Sequence, residues 1–229
     1  SAISSSLTGV RYCSLAWGDY NNDGKLDILL TGSRSTSVSK IYRNDGMISN
    51  TIPPIPLNLN SDFFENKITL KWNKASDNET SQDGLSYNVS IGTYPDTIDI
   101  CSPMADISNG FRRIATMGNS QLDTSYLLNS NNLIVCQEYY YKVQAIDNSF
   151  AGSPFSVSST FFVPLTVDAG DDLSITCGSA ANISAISNYN GSGNLSYLWD
   201  PSAGLSATNI GNPIATPLVT TKYKVIVTS

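Results

Sequence analysis

Nine consecutive residues carry the clearest chemistry in this chain: Asp19-Tyr20-Asn21-Asn22-Asp23-Gly24-Lys25-Leu26-Asp27. Carboxylate or amide oxygens stand at positions 1, 3, 5 and 9 of the run, and a glycine stands at position 6. Calcium is a hard cation that takes about six to eight oxygen ligands at roughly 2.3–2.6 Å. A loop that turns sharply at Gly24 offers it the side chains of Asp19, Asn21, Asp23 and Asp27 and the carbonyl of Lys25. The spacing predicts a calcium site. A helix-loop-helix calcium motif begins the same way but needs a glutamate at position 12 and a helix on each side. Position 12 here is Leu30. The competing reading is an Asn/Asp-rich turn without metal, since these residues favour turns on their own. Four oxygen side chains at these offsets are more than a turn requires.

The elements that position the loop are strands. Tyr12-Cys13-Ser14-Leu15-Ala16-Trp17 alternates on one side, and Leu26-Asp27-Ile28-Leu29-Leu30-Thr31 is rich in strand formers on the other. The loop joins two strands.

Composition narrows the rest. Charged residues make up 14% of the chain, the net charge is −6 and the isoelectric point is near 4.5. That balance argues against nucleic acid and anionic membrane surfaces as partners. No apolar run is long enough for a spanning helix. There is no histidine, which removes Ser-His-Asp and Cys-His catalysis and imidazole zinc sites. Glycoside hydrolysis needs two carboxyls roughly 5–10 Å apart across a cleft. Asp77, Glu79 and Asp83 share one polar loop and read as turn residues. No catalytic constellation emerges, and a non-enzymatic protein is expected.

Leu15-Ala16-Trp17-Gly18 through the acidic loop to Leu30-Thr31-Gly32, followed by Lys40-Ile41-Tyr42-Arg43-Asn44-Asp45-Gly46, resembles an FG-GAP (VCBS-type) repeat over about residues 7–46. The resemblance implies one blade of a β-propeller with a structural calcium in the loop. A single blade cannot bury its own faces. The resemblance therefore implies upstream repeats of the same protein as partners, and a chain that is a piece of a larger one.

A proline-rich linker, Thr51-Ile52-Pro53-Pro54-Ile55-Pro56, opens the next segment. Beyond it, three short runs alternate. Ile68, Leu70 and Trp72 share one face, and Leu85–Gly92 repeats the pattern. Tyr139, Tyr141, Val143 and Ala145 face together. Such strands build a β-sandwich. Trp72, Tyr139 and Pro154 make residues 52–163 similar to a fibronectin type III domain, with Gly92–Asn119 longer than the usual connection. The cluster Tyr139-Tyr140-Tyr141 reads as core packing in preference to a sugar platform, because alternation sends two of the three inward.

From about Leu165 to Ser229, a turn followed by a strand is expected over Val167–Gly178, with further strands at Leu195–Trp199 and Thr221–Thr228. The run Tyr197-Leu198-Trp199-Asp200-Pro201, with Gly204-Leu205-Ser206 and Thr221-Lys222-Tyr223, resembles a PKD-like immunoglobulin sandwich. Asp168, Asp171 and Asp172 lack the one-three-five rhythm and read as turn residues.

The expected fold is all-β: an incomplete propeller-type blade (1–50), a fibronectin type III-like sandwich (51–164) and a PKD/Ig-like sandwich (165–229). Four cysteines allow three complete pairings. Cys101 and Cys136 fall in the same sandwich and are expected to pair. Cys13 either pairs upstream or is a buried free thiol, and Cys177 pairs beyond Ser229. Two functions fit. One is a non-catalytic part of an extracellular, bacterial surface or adhesion protein that meets a carbohydrate or protein ligand. The other is the accessory region of a secreted carbohydrate-active or other hydrolase.

Overall fold

The computed structural model describes residues 7–21, 23, 25–46, 50–112, 114–176 and 178–229. Among them there is no α-helix; two single 3₁₀ turns, Gln82–Gly84 and Ser130–Asn132, interrupt an all-β chain. The strands are β1 (Arg11–Gly18), β2 (Asp27–Ser33), β3 (Ser37–Tyr42), β4 (Asn60–Phe64), β5 (Lys67–Lys71), β6 (Ser86–Gly92), β7 (Ser125–Asn129), β8 (Glu138–Ile146) and β9 (Ser159–Phe162). Six short strands follow: β10 (Val167–Asp168), β11 (Ala181–Asn182), β12 (Ile186–Ser187), β13 (Ser196–Asp200), β14 (Ile214–Ala215) and β15 (Lys224–Thr228). The chain divides into two compact units, 1–128 with 139–161 and 129–138 with 162–229.

In the first unit, β1, β2 and β3 form an antiparallel sheet whose register pairs Gly18 with Asp27 and Ile28 with Tyr42. The acidic run thus joins two neighbouring strands, as the strand-like flanks require. The sandwich consists of two three-stranded sheets, β4-β5-β7 and β6-β8-β9. This arrangement is that of an Ig-like or fibronectin-type sandwich. Its core is the set of alternating residues read from the sequence: Ile68, Leu70 and Trp72 from one sheet, Tyr87, Val89, Ile91, Tyr139, Tyr141, Val143 and Ala145 from the other, all buried. Trp72 tilts against Tyr87 at 5.7 Å between ring centres, and Tyr139 stacks on Phe161 at 5.3 Å. Such pairs add roughly 0.5–1.5 kcal/mol beyond their buried area.

Alternation alone leaves the other face of β6 to water, yet every residue of β6 is buried. The long connection 93–119 is the cause. It returns along the free edge of β6, where Ile91 and Cys101 exchange backbone hydrogen bonds (both 3.0 Å) and the Asn119 side-chain amide both accepts from Val89 N (2.7 Å) and donates to Val89 O (2.8 Å). A side chain here completes a strand edge that would otherwise expose unpaired backbone groups. The middle of the connection lies over the outer face and buries Asn88 and Gln144, which are directly paired across β6 and β8. Gln144 Nε2 donates to Gly110 O (2.6 Å) and Ser153 O (2.7 Å), and its carbonyl accepts from Asn88 Nδ2 (3.2 Å). Asn88 Nδ2 also donates to Pro103 O.

The first turn of this connection is held by Asp99. Its carboxylate accepts from Thr93 N (3.0 Å), Thr93 Oγ1 (2.8 Å) and Thr97 Oγ1 (2.8 Å). Those bonds, the Thr93 amide foremost, hold its pKa down to about 2. A carboxylate held below its unfolded value adds stability that is complete above the ordinary aspartate range and is lost as pH falls through the folded value. Asp99→Asn is therefore expected to flatten the fall in the urea midpoint between about pH 4 and pH 2; an unchanged slope would remove Asp99 from the acid response.

The bridge expected between Cys101 and Cys136 is not formed. Both are free thiols with different neighbours. Cys101 Sγ lies 3.6 Å from Val89 O and from the Tyr126 hydroxyl, enclosed at the β6 edge. Cys136 belongs to the other unit, where Ser229 Oγ donates to its sulfur at 3.4 Å. Burial pushes the Cys101 thiol pKa up, which keeps it protonated and poorly reactive. Cys13 is a free thiol, and it is exposed in β1, not buried. Cys177 lies outside the described residues.

The second unit is built of two-stranded pairs, β10-β12, β11-β14 and β13-β15. Trp199 anchors it, buried, with Nε1 donating to Ile210 O at 2.9 Å. The strand expected after the 168–172 turn does not form: residues 171–176 are irregular, and Leu173 is exposed. An alternating run without a partner strand or a core to face has nothing to hold it extended. The final strand begins at Lys224, three residues later than Thr221.

Candidate functional site

The acidic loop leaves β1 at Gly18 and enters β2 at Asp27, which are cross-strand partners. Asp27 is buried, 2% exposed, and both its oxygens are engaged: Oδ2 accepts from Tyr20 N (2.9 Å) and Oδ1 from Asn44 N (2.7 Å). One carboxylate therefore ties the start of the loop to the chain leaving β3. The other side chains organise the tip. Asp19 Oδ1 accepts from Asp23 N at 3.0 Å, and Asp23 Oδ1 accepts from Lys25 N at 3.1 Å. Asn21 Nδ2 donates to Asp23 Oδ2 at 2.9 Å. That side-chain bond is the main reason the Asp23 carboxyl sits below its ordinary pKa; the Lys25 amide and the Lys25 and Arg43 charges act in the same direction. Lys25 Nζ reaches the Gly46 carbonyl (2.7 Å), closing the loop against the segment after β3. Asn22 and Gly24 lie outside the described residues.

The five positions named from the spacing thus share one strand-joining loop but divide into two groups. Asp19, Asn21, Asp23 and the Lys25 backbone gather at the solvent-exposed tip and supply hard oxygen donors, which fits a cation of the calcium type. Asp27 stands at the buried root and is committed to amide hydrogens. Among the described residues no three acidic side chains surround a common point. As folded, the tip satisfies its own charges with backbone N–H groups.

The other candidates resolve into structural roles. Asp77 Oδ2 accepts from the Thr80 and Glu79 amides (2.7 and 3.1 Å). Glu79 holds Thr51 through its amide and hydroxyl (3.2 and 2.7 Å), and Asp83 pairs with Lys74 at 2.6 Å. Tyr139 and Tyr141 are core residues. Asp168 accepts from Gly170 N (2.9 Å) in a turn where Gly170 has φ +78. Two polar residues of consequence carried no sequence signal. Gln144 sits at an outward position of an alternating strand. Asp147, just beyond the end of β8, is buried and accepts from Asn50 Nδ2 (2.6 Å), Ser149 N (2.8 Å) and Ala151 N (2.9 Å). Burial pushes the Asp147 pKa up despite those bonds.

No protein-family model matches the chain, and no curated protein matches it. Among solved structures the chain is similar to the chicken CNTN1 FN1–FN3 domains, at 11% identity over 88% of this chain and 71% of that one, with a TM-score of 0.35. It is similar to the Clostridium perfringens spore cortex lytic enzyme SleM at 15% identity, over 58% of this chain and 36% of the enzyme, with a TM-score of 0.30. The α-L-rhamnosidase from Dictyoglumus thermophilum shares 15% identity over 66% of this chain and 18% of its own, with a TM-score of 0.35. The chain spans well under two thirds of either enzyme.

Proposed function

We propose that the chain is a non-catalytic part of a multidomain extracellular protein of bacterial surface type, serving adhesion through β-sandwich modules and a calcium-stabilised repeat. In this reading the β1-β2-β3 sheet is an FG-GAP/VCBS-type blade that stacks on upstream repeats. The sandwich is a fibronectin type III-like module, and the second unit is a PKD/Ig-like one. The observation that carries the reading is the loop itself: four oxygen side chains at positions 1, 3, 5 and 9 between two paired strands, with Asp27 already locking its root. Calcium would be held by Asp19, Asn21, Asp23 and Asp27 side chains and the Lys25 carbonyl. Bound there, it offsets the mutual repulsion of the carboxylates and joins the exit of β1 to the entry of β2. A non-catalytic role is supported by the lack of histidine and by Asp77, Glu79 and Asp83 each being taken up in a turn or an ion pair. No helix among the described residues is long and apolar enough to cross a membrane.

The two groups of ligands make a discriminating test. With calcium at about 100 times its Kd, binding to the folded state adds about 2.7 kcal/mol, or roughly 5–10 °C in Tm for a chain of this size. Wild-type protein is expected to melt higher in calcium than in chelator. Asp23→Ala is expected to abolish that difference and leave the chelator value nearly unchanged. Asp27→Ala is expected to lower the melt in both buffers, because its carboxylate holds two backbone amides whether or not a cation is present. A wild-type melt indifferent to chelator, with no heat of calcium binding by titration calorimetry, overturns the calcium reading.

A further inference from the structure

An open cleft of about 760 Å³ lies in the first unit between the ends of β1 and β2 and the sandwich segments 109–112, 114–115 and 149–152. Its volume is in the range of small-molecule sites, which combine apolar and aromatic walls with a few placed polar groups. Trp17, Phe111 and Phe150 supply the aromatic surface, and the first two are about half exposed, at 52% and 57%. Asn109 and Ser149 supply polar side chains, Asp19 a carboxylate, and Arg112 a cation, the one among the described lining residues.

Arg112 is the unusual member. It bridges to Ala105 through its backbone, and a Cβ at Gly152 would lie 3.1 Å from its Cγ, so the stem packs against the 152 backbone. One terminal guanidinium nitrogen donates to Thr116 O, while the buried Nε has no partner among the described residues. The ion pairs of the described residues are Arg43–Asp45, Lys71–Asp62, Lys74–Asp83 and Lys142–Asp96, and none uses Arg112. A cation removed from water without a counter-charge is costly. Burial brings the guanidinium pKa down to about 10, and no neighbouring anion offsets it. What the guanidinium lacks is a counter-charge; the enclosed Nε is out of reach of a ligand, and a planar carboxylate suits the terminal nitrogens.

The walls say what carries that carboxylate. Flat, half-exposed aromatic faces beside polar side chains suit a pyranose ring, whose C–H face stacks while its hydroxyls bond. A peptide would instead need a row of open backbone groups for strand addition. The cleft loops have few to offer. Gly110 N donates to Asp106 O (2.8 Å), Gly110 O accepts from Gln144, and Ala151 N donates to Asp147 (2.9 Å). The net charge of −6 gives no long-range attraction for an anion, so recognition rests on direct contact.

We propose that this cleft binds a saccharide bearing a carboxylate, a uronate, with the carboxylate paired to Arg112 and the ring laid on Trp17 and Phe111. The proposal does not depend on calcium in the acidic loop. Titration calorimetry of the full chain in EDTA tests it, because chelator removes both loop calcium and calcium bridging by the saccharide. The probes are trigalacturonate, the neutral trisaccharide cellotriose and hexaglutamate. Trigalacturonate is expected to bind at least about tenfold more tightly than cellotriose, as the loss of a charge-assisted bond predicts. Arg112→Gln and Phe111→Ala are each expected to weaken trigalacturonate by about tenfold or more. Phe111 is exposed, so its variant retains the fold and keeps the test valid should Arg112→Gln unfold. No binding of trigalacturonate in EDTA, equal binding of cellotriose, tighter binding of hexaglutamate, or wild-type affinity in Phe111→Ala overturns the proposal.

Discussion

Replacing Gly118 by alanine is expected to lower the stability of the sandwich by roughly 3 kcal/mol or more, or about 6–12 °C in Tm. The cause is the close approach of two backbones. A Cβ at Gly118 overlaps the Tyr87 carbonyl oxygen and falls 2.7 Å from the Asn88 nitrogen, both backbone atoms of β6, a strand buried along its whole length. A flexible side chain could swing aside; a strand in the middle of a core cannot. To admit the methyl group, the 118–121 segment must lift from β6 and give up Ser120 N to Tyr87 O (3.0 Å) and Tyr87 N to Gln121 O (2.8 Å). Gly9→Ala is the control, since nothing lies within 4 Å of its added carbon. Thermal melts of the two variants check the claim, and near-equal midpoints would show that the segment can yield.

The second large effect belongs to Gln144, which is fully buried under the long connection. Gln144→Ala removes the donor to Gly110 O and Ser153 O and the acceptor for Asn88 Nδ2. Each buried group left without a partner costs about 1–3 kcal/mol, and the vacated volume adds a cavity term. A total of roughly 3–5 kcal/mol is expected in urea denaturation. Gln144→Leu refills the space without restoring any hydrogen bond, so it is expected to recover only the cavity part. If the leucine variant is as stable as wild type, the amide network contributes nothing and packing alone holds the connection down. Hydrogen exchange gives a local readout: amides near Gly110 and Ser153 are expected to lose protection first, because they lie on the loops the amide clasps. The Gly110 backbone, at φ +79 with a virtual Cβ 3.1 Å from both Gln144 Nε2 and Pro154 Cα, shows how tightly that clasp is drawn.

Much of the sandwich was legible from alternation. Ile68, Leu70, Trp72, Tyr139, Tyr141, Val143 and Ala145 face the core because a strand exposes its two faces at period two, and burial of one face decides the register. That the acidic loop joins β1 and β2 was legible for the same reason: its flanks read as strands. The misses share a cause. Asn88, Ser90 and Gln144 stand at polar positions of alternating strands and so read as solvent-facing, and only a connection folded over them from elsewhere in the chain reverses that. The Cys101–Cys136 pairing was inferred from shared residence in one sandwich. In three dimensions residues 129–138 belong to the other unit, and each sulfur has its own neighbours. In the second unit, Leu173 and Ile175 carry the strand pattern without a partner strand, and hydrophobic period alone does not supply one.

Local chemistry was settled by sequence alone: an oxygen-rich loop between strands, an all-β chain without histidine, and the inward residues of each long strand. These depend on neighbours a few positions apart, where backbone geometry leaves few choices. Tertiary structure alone decided which of those groups remain available. It sent Asp27 to the buried root of its loop and left Asp19, Asn21 and Asp23 at the tip. It spread the 93–119 connection over β6 and enclosed Gln144, and it set an unpaired Arg112 beside Trp17 and Phe111 in one cleft. The physical reason is that partnership and burial are properties of contacts between distant segments. Arg112 lies about a hundred positions from Trp17, and no period or spacing within either segment encodes their meeting.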